Sequence, residues 1–460
     1  VAYFDAKTDP SVRRAEVLQL VAMFDRFARI PVLEAKQYQL ENLKNLLSTA
    51  IDNSPWWAAR LANVDLSAGS IEELLQQFEF ETKKSLQDNR DDMAVRLPAS
   101  ALDDYTFQKT SGSTSQPIQI LKYLPIYFRE LDAVAILEWQ WQRRDIKKKM
   151  GFFRLGASDA DAIPLGPPFE YLGEAPLAFQ RSSVDRSPAE LLDALEKHQP
   201  AYLLTNPVSL RLVAQEQISN PRKVVGLEQI LTLADRVDNS LRQLVRDVFG
   251  AKIVDRYSSV EFGPIAIQCP VFEHLHVVSP LVYVEILNDK NEPCAVRTPG
   301  RVVVTGLRTL AMPIIRYELG DIAEWGDDCD AGIKWPVISN VHGRQRTFSV
   351  GSDGEKRLVT LFGADFMMMQ EIIDYQVIKF DDAVVFAAQV RRPLDELELD
   401  RIRKSMCEVF RAEVDVHFYL QQAPIQSVNW KNQELYLAVG PFRDGMTLAE
   451  VHEVVKTEHN

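Results

Sequence analysis

Apolar positions recur at helical spacing from near the start of the chain. Leu18, Leu20, Val21, Phe24 and Phe27 form one apolar face, and Tyr38, Leu40, Leu43, Leu46 and Leu47 form another. Residues 11–62 therefore read as helical, with Asn53-Ser54-Pro55 offering a turn. Residues 65–100 read as short helices ending near Leu97-Pro98. Ile118, Ile120 and Leu121 suggest a strand, and residues 126–143 a long helix containing Trp139 and Trp141. The run Arg143-Arg144-Asp145-Ile146-Lys147-Lys148-Lys149 reads as the solvated end of that helix.

The pattern then alternates. Ser187-Pro188-Ala189-Glu190 is a capping box with proline at the first helical position, opening a helix through about His198. Ala201 to Thr205 follows as a buried strand, and Val224 to Leu233 repeats it. Asn239 to Phe249 places Leu241, Leu244, Val245, Val248 and Phe249 on one helical face, and Gly250 can stop it. Ile253-Val254 starts the next strand. Such alternation predicts an α/β domain with mostly parallel strands. Between 277 and 306 the chain becomes β-rich, with Leu281–Leu287 and Arg301–Thr305 joined by turn residues, which suggests an antiparallel or barrel-like subdomain. Beyond Gly343 a small α+β unit is expected. Strands are read at Tyr375–Ile378, Val384–Ala388 and Val414–Leu420, and a helix at Leu394–Phe410. The predicted organisation is a large domain over residues 1–343 and a small one over 344–460.

Composition narrows the class. With 460 residues, 46% hydrophobic and 25% charged, the chain suits two or three globular domains. A net charge of −13 argues against a general nucleic-acid binder. No apolar run approaches the roughly 20 residues of a membrane span. The first residues, Val1-Ala2-Tyr3-Phe4-Asp5, lack the regions of a secretory signal. Cys269, Cys294, Cys329 and Cys407 form no CxxC pair, which suits a reducing compartment, so a cytoplasmic location is expected.

Four segments carry candidate chemistry. Lys109-Thr110-Ser111-Gly112-Ser113-Thr114-Ser115-Gln116-Pro117 is a hydroxyl-rich turn of the kind that can wrap a polyphosphate, and also of the kind found in ordinary surface turns. Asp255-Arg256-Tyr257-Ser258-Ser259-Val260-Glu261-Phe262-Gly263-Pro264 comes second. Met312-Pro313-Ile314-Ile315-Arg316-Tyr317-Glu318-Leu319-Gly320-Asp321 is the third, and Gly343-Arg344 the fourth. Their order and spacing resemble the adenylate-forming ligases, the superfamily of acyl-CoA synthetases and adenylation domains. The Glu261–Pro270 segment, the following His274-Leu275-His276 and the Met312–Asp321 segment look most like the phenylacetate–CoA ligase and CapK-like branch.

The resemblance implies a large adenylate-forming domain with mixed sheets and a small mobile α+β domain. It implies ATP and Mg²⁺, a small carboxylic acid substrate, and CoA or a phosphopantetheine as thiol acceptor. An acyl carrier protein or an amine remains open as acceptor. Thr110, Ser111, Gly112, Ser113 and Thr114 would hold the β- and γ-phosphates. Ala234 and Asp235 stand where a Gly-Glu pair lines the adenine and acyl pockets. Tyr257 would lie against adenine, with Ser258 and Ser259 beside it. Glu261 would hold Mg²⁺, a hard cation that prefers oxygen ligands. Asp321 would accept from the ribose hydroxyls, Arg344 would sit at the domain junction, and Lys431 is the candidate for the late catalytic lysine. Arg316 reads as structural, paired with a carboxylate. Trp139, Phe179 and Phe262 are candidates for apolar lining or for core. The Arg143–Lys149 run could alternatively meet the phosphate of CoA or phosphopantetheine.

Several positions depart from the family pattern. Ser115-Gln116 replaces Gly-Lys, Val260 replaces a hydroxyl residue, Arg346 replaces an acidic hinge, and Trp430 precedes Lys431 where glycine is expected. These changes leave a second reading open, a diverged nucleotide- or partner-binding protein on the ligase fold. Separately, His274-x-His276 on a strand would put both rings on one face, and Cys269 could join them. That makes a three-ligand zinc set with no fourth ligand evident, so it reads as ordinary sequence.

Overall fold

The computed structural model describes residues 9–95, 104–109, 118–154, 156–183, 185–233, 237, 239–288, 290–341, 348–350, 356–358, 366, 369, 371–410, 412–422, 435–438 and 441–456. They divide into two compact units. One comprises the described residues within Val1–Gln108 and Gln119–Gly343, the other those within Lys109–Ile118 and Arg344–Asn460.

The helical stretch 11–62 forms three helices, Pro10–Phe27, Val32–Asn53 and Pro55–Arg60, the last break falling at the expected Asn53-Ser54-Pro55 turn. Prolines set the breaks, because the ring cannot continue a preceding helix but fits the first position of a new one. Pro31 is the N-cap of the second helix, and Pro55 opens the third behind Ser54, whose hydroxyl accepts from the Trp57 N–H.

Strands β1 (Tyr105–Lys109) and β2 (Gln119–Tyr123) pair with each other. A second sheet contains β3 (Met150–Arg154), β4 (Ala160–Ile163), β5 (Ala178–Ser182), β6 (Tyr202–Thr205), β7 (Gln229–Thr232) and β8 (Lys252–Ser259). It continues through β9 (Gly263–Gln268), β10 (Leu275–Val277), β11 (Val282–Leu287), β12 (Gly300–Gly306), β13 (Tyr317–Trp325) and β14 (Val337–Val341). Among the described residues the order is β11-β12-β13-β14-β10-β9-β8-β7-β6-β3-β5-β4. The run β5-β3-β6-β7-β8 is parallel, as the alternating pattern predicts. From β8 to β11 every pairing is antiparallel. The β-rich stretch is thus the antiparallel half of one mixed sheet, and among the described residues its last strand, β11, is an edge in the ladder, with no hydrogen-bonded closure to a barrel.

Period-two alternation explains how the parallel half is buried on both faces. Phe153, Leu203, Ile230 and Ile253 point to one side, under helices Pro188–His198, Pro207–Ser219 and Asn239–Phe249. Their neighbours Phe152, Tyr202 and Leu231 point to the other, against Trp139 of the helix Leu124–Trp141. Gly151 is required here, since a Cβ on it would lie 2.3 Å from the Phe179 ring. The Ser187 capping box forms as expected, its hydroxyl accepting from the Glu190 N–H. Helix Pro207–Ser219 escaped the sequence reading, although Asn206 caps it at 2.8 Å and proline opens it. The repeat expected over Val224–Leu233 shrinks to β7, because Gly226 takes a left-handed φ of 78° and Val225 is exposed.

The second unit pairs β15 (Phe348–Val350) with β16 (Lys356–Leu358). Its main sheet has β17 (Ile372–Lys379), β18 (Ala383–Val390), β19 (Asp415–Gln421) and β20 (Leu435–Leu437) in the order β19-β18-β17-β20. Helix Glu396–Phe410 packs Ile402, Met406 and Phe410 against Val377 and Phe386 on one face. Helix Leu448–Lys456 packs Val451 and Val455 against Ile378 and Val385 on the other. Among the described residues no helix is long and apolar enough to cross a membrane.

Candidate functional site

Strand β8 ends in Tyr257-Ser258-Ser259 and turns through Val260-Glu261-Phe262 into β9. Gly263 adopts φ 74°, a left-handed conformation that glycine alone takes without strain, and Leu131 lies 3.1 Å from where a Cβ would sit. The Phe262 N–H donates to the Ser259 hydroxyl at 3.2 Å, tightening the turn. The turn aims the Glu261 carboxylate into a buried position, where Oε1 accepts from the Tyr317 hydroxyl at 3.3 Å. On the same strand as Tyr317, Asp321 accepts from the Tyr257 hydroxyl at 2.8 Å. β8 and β13 are separated in the ladder by β9, β10 and β14, so these two contacts require the antiparallel half to curl, the geometry that accumulated strand twist produces.

Tyr257, Ser258, Ser259, Glu261 and Asp321 are therefore brought together by one hairpin turn and one strand. The other expected site residues, Thr110, Ser111, Gly112, Ser113, Thr114, Ala234, Asp235, Arg344 and Lys431, lie outside the described residues.

A lysine absent from the sequence reading joins this group. Lys122 of β2 is buried and donates to the Glu261 main-chain carbonyl. Burial lowers its ammonium to about 8, against the opposing pull of the Glu261 and Glu130 carboxylates. Lys122 also lies over the Tyr127 ring, 4.9 Å from its centroid, and Glu130 pairs with Arg308. Burial raises the Glu130 carboxyl, with Arg308 pulling the other way. These charges border a pocket beside the turn whose apolar wall includes Leu121, Tyr123, Ile126, Phe262, Pro264 and Leu310. The available signal was Lys122 standing two positions after Ile120, on the same face of a strand.

Of the three aromatic candidates for lining, Phe262 borders this pocket. Trp139 and Phe179 are core, the first against Tyr202 and Phe169, the second stacked on His198 with centroids 4.3 Å apart. The solvated reading of Arg143–Lys149 fails at Arg144. That residue is buried, donates to Gln229 Oε1 at 2.8 Å and lies 3.5 Å from Glu138. Glu138 is also paired with Arg256 of the second motif. Asp255, beside it, accepts from Thr232 at 2.8 Å and is pushed up to about 6 by burial.

Arg316 is structural, as its sequence reading holds. Its guanidinium forks onto Glu285 at 3.0 and 3.1 Å and donates to the carbonyl of Phe78 at 3.0 Å. The Phe80 ring covers it at 4.2 Å. Its backbone has φ 50°, a strained value for a branched-chain-free but bulky residue, fixed by the Thr305 hydroxyl accepting from its N–H at 2.9 Å.

No family model matches the sequence, and no curated protein matches it. Solved structures do match in fold. 2-Hydroxyisobutyryl-CoA ligase, in complex with 2-HIB-AMP and CoA in the thioesterification state, has a TM-score of 0.62 at 14% identity, covering 95% of this chain and 95% of its own. Its postadenylation state with 2-HIB-AMP scores 0.59 at 14% identity over 94% of each chain. Its open conformation with 2-HIB-AMP and CoA scores 0.58 at 14% identity, covering 89% of this chain and 93% of that one. The chain thus has the α/β fold, built on a large mixed sheet, of the adenylate-forming CoA ligases. At this identity the likeness establishes the fold.

Proposed function

We propose that the protein joins a carboxylic acid to AMP at the expense of ATP and then passes the acyl group to a thiol. In the first step a carboxylate oxygen attacks the α-phosphorus and pyrophosphate leaves. In the second the thiol attacks the acyl carbon and AMP leaves with the bonding electron pair. The single observation that carries this reading is the convergence of Glu261, Tyr257 and Asp321 on a fold shared along nearly the whole chain with a CoA ligase.

Each residue has a task that its setting permits. Tyr257 offers a ring to adenine and is steadied by Asp321. The Asp321 carboxylate has further lone pairs for ribose hydroxyls. Glu261 is a buried oxygen donor held by Tyr317, a donor set that fits Mg²⁺. When bound, Mg²⁺ neutralises charge on the phosphates as pyrophosphate departs. Thr110, Ser111, Gly112, Ser113 and Thr114 cradle those phosphates in this reading. Ala234 and Asp235 border the adenine and acyl pockets, Arg344 serves the junction of residues 1–343 with a mobile 344–460 domain, and Lys431 reaches the carboxylate. The Glu261–Pro270 and Met312–Asp321 motifs favour the phenylacetate–CoA ligase and CapK-like branch, with CoA or a carrier phosphopantetheine as acceptor.

Trapping with hydroxylamine tests the proposal. Incubation with ATP, Mg²⁺ and a panel of aryl, fatty and hydroxy acids should yield an acyl hydroxamate from one class of acid. No hydroxamate from any acid, in protein that binds MgATP, would favour the nucleotide-binding alternative, to which Val260 beside Glu261 already lends some support by supplying no hydroxyl.

A further inference from the structure

The three-ligand pattern at Cys269, His274 and His276 acquires a fourth member in the fold. Cys329, from the connection between β13 and β14, comes to the same point, and the ligating atoms of all four residues lie within 4.8 Å of one another. Cys269 and His276 are fully buried and Cys329 nearly so. The sequence reading missed it because 52 residues and two hairpins separate Cys329 from His276; pairing of β10 with both β9 and β14 brings them together.

We propose that Cys269, His274, His276 and Cys329 bind a structural zinc ion. The like-atom distances match those of a tetrahedral site. With Zn–S near 2.3 Å and Zn–N near 2.05 Å, tetrahedral geometry sets sulfur–sulfur at about 3.8 Å and nitrogen–nitrogen at about 3.3 Å. The Cys269 and Cys329 sulfurs are 3.7 Å apart, and the Nε2 atoms of His274 and His276 are 3.3 Å apart. A disulfide would need sulfurs at about 2.05 Å.

The surroundings prepare these atoms as ligands. His276 Nδ1 is 3.0 Å from the Trp335 carbonyl, so Nδ1 carries the proton and Nε2 presents its lone pair to the cluster. The N–H of Val271 approaches the Cys269 sulfur at 3.5 Å, and the N–H of Ala331 approaches the Cys329 sulfur at 3.4 Å. Each cysteine sulfur thus receives a backbone donor two residues on. On binding, two thiol protons are released and the ion takes two sulfur and two nitrogen lone pairs.

Four protein ligands leave no open position, which makes the site a fastener rather than a reaction centre. It joins the β9–β10 turn to the β13–β14 connection. These are the far ends of β9, which follows the Glu261 turn, and of β13, which begins at Tyr317, roughly 20–30 Å away at the rise of a strand. The ion therefore holds in register the two elements that assemble the candidate nucleotide site, whatever that site binds.

Metal analysis of untagged protein, purified without chelator, tests this directly. About one zinc per chain is expected, released by a mercurial thiol reagent and accompanied by a fall in Tm. Cys329→Ser should lose the metal, while His417→Ala in the other unit should keep it. Should Cys329→Ser fail to fold, alkylation of the native wild type supplies the second readout. Cys269 and Cys329 should resist N-ethylmaleimide until a strong chelator is added, whereas Cys294 and Cys407 should react alike in both conditions. Protein without metal that takes up no added Zn²⁺ when reduced would overturn the proposal. So would a different stoichiometric metal, or an intact mass showing Cys269 and Cys329 joined by a disulfide.

Discussion

The Tyr257 hydroxyl donates to the Asp321 carboxylate at 2.8 Å, tying the end of β8 to the middle of β13 across three intervening strands. A second tie, Tyr317 to Glu261, runs beside it. The two tyrosines hold the two carboxylates at fixed places, so under the proposed function a nucleotide would meet oriented acceptors.

Tyr257→Phe isolates the first tie, because the ring stays and the hydroxyl goes. A hydrogen bond of this kind contributes roughly 0.5–1.5 kcal/mol net. MgATP affinity should fall roughly 2- to 10-fold with little change in Tm. Calorimetric titration of both proteins measures it, and equal affinities would show that the tie does not position Asp321 for the nucleotide.

Lys122 makes stability depend on pH in a defined direction. Its usual 10.5 drops to about 8 in the folded chain, chiefly through burial. Between pH 8 and 10.5 the unfolded chain keeps a proton that the folded chain has released, so folding stability rises with pH across that window. Below 8 both states hold the proton and the folded state bears the burial cost, on the order of 3 kcal/mol. The Tm difference between wild type and Lys122→Met should therefore shift in favour of wild type as pH rises from 8 to 10.5. A difference independent of pH would mean that Lys122 is well solvated.

Gly151→Ala puts a methyl where the Phe179 ring stands, 2.3 Å from the nearest ring carbon. Overpacking of this sort costs about 1–3 kcal/mol. Urea unfolding should show the loss, and Phe179→Leu in the same chain should restore part of it. An unchanged midpoint for the single variant would indicate a looser core between β3 and β5.

Arg316→Lys removes the fork onto Glu285 and abandons the Phe78 carbonyl. A lysine offers a point charge without the planar geometry. Stability should fall by roughly 1–3 kcal/mol, read by urea unfolding, because buried acceptors lose their donor.

The parts of this fold that were legible in the sequence are those where local chemistry and tertiary structure agree. The Ser187 box, the Asn239–Phe249 stripe and the β17–β18 pair each carry their own signal. β3 and β5 were missed because Phe152-Phe153 and Ala178-Phe179 are short apolar runs buried on both faces, where no alternation of polar and apolar residues survives. In the candidate site, Tyr257, Glu261 and Asp321 stood out as motif residues. Tyr317 stood in the third motif without a role and Lys122 stood outside all four, since their roles arise only when the sheet curls and β2 reaches the turn. Cys329 shows the same limit, as its companions are named by strand pairing and not by spacing.

The proposed function makes Glu261 part of an acid-activating centre. Acid-dependent exchange of labelled pyrophosphate into ATP, comparing wild type with Glu261→Gln, tests it most directly. Exchange with one class of acid is expected in the wild type and should be lost in the variant, with both proteins folded. Exchange that persists undiminished in Glu261→Gln, or none with any acid in wild type that binds MgATP, would contradict it.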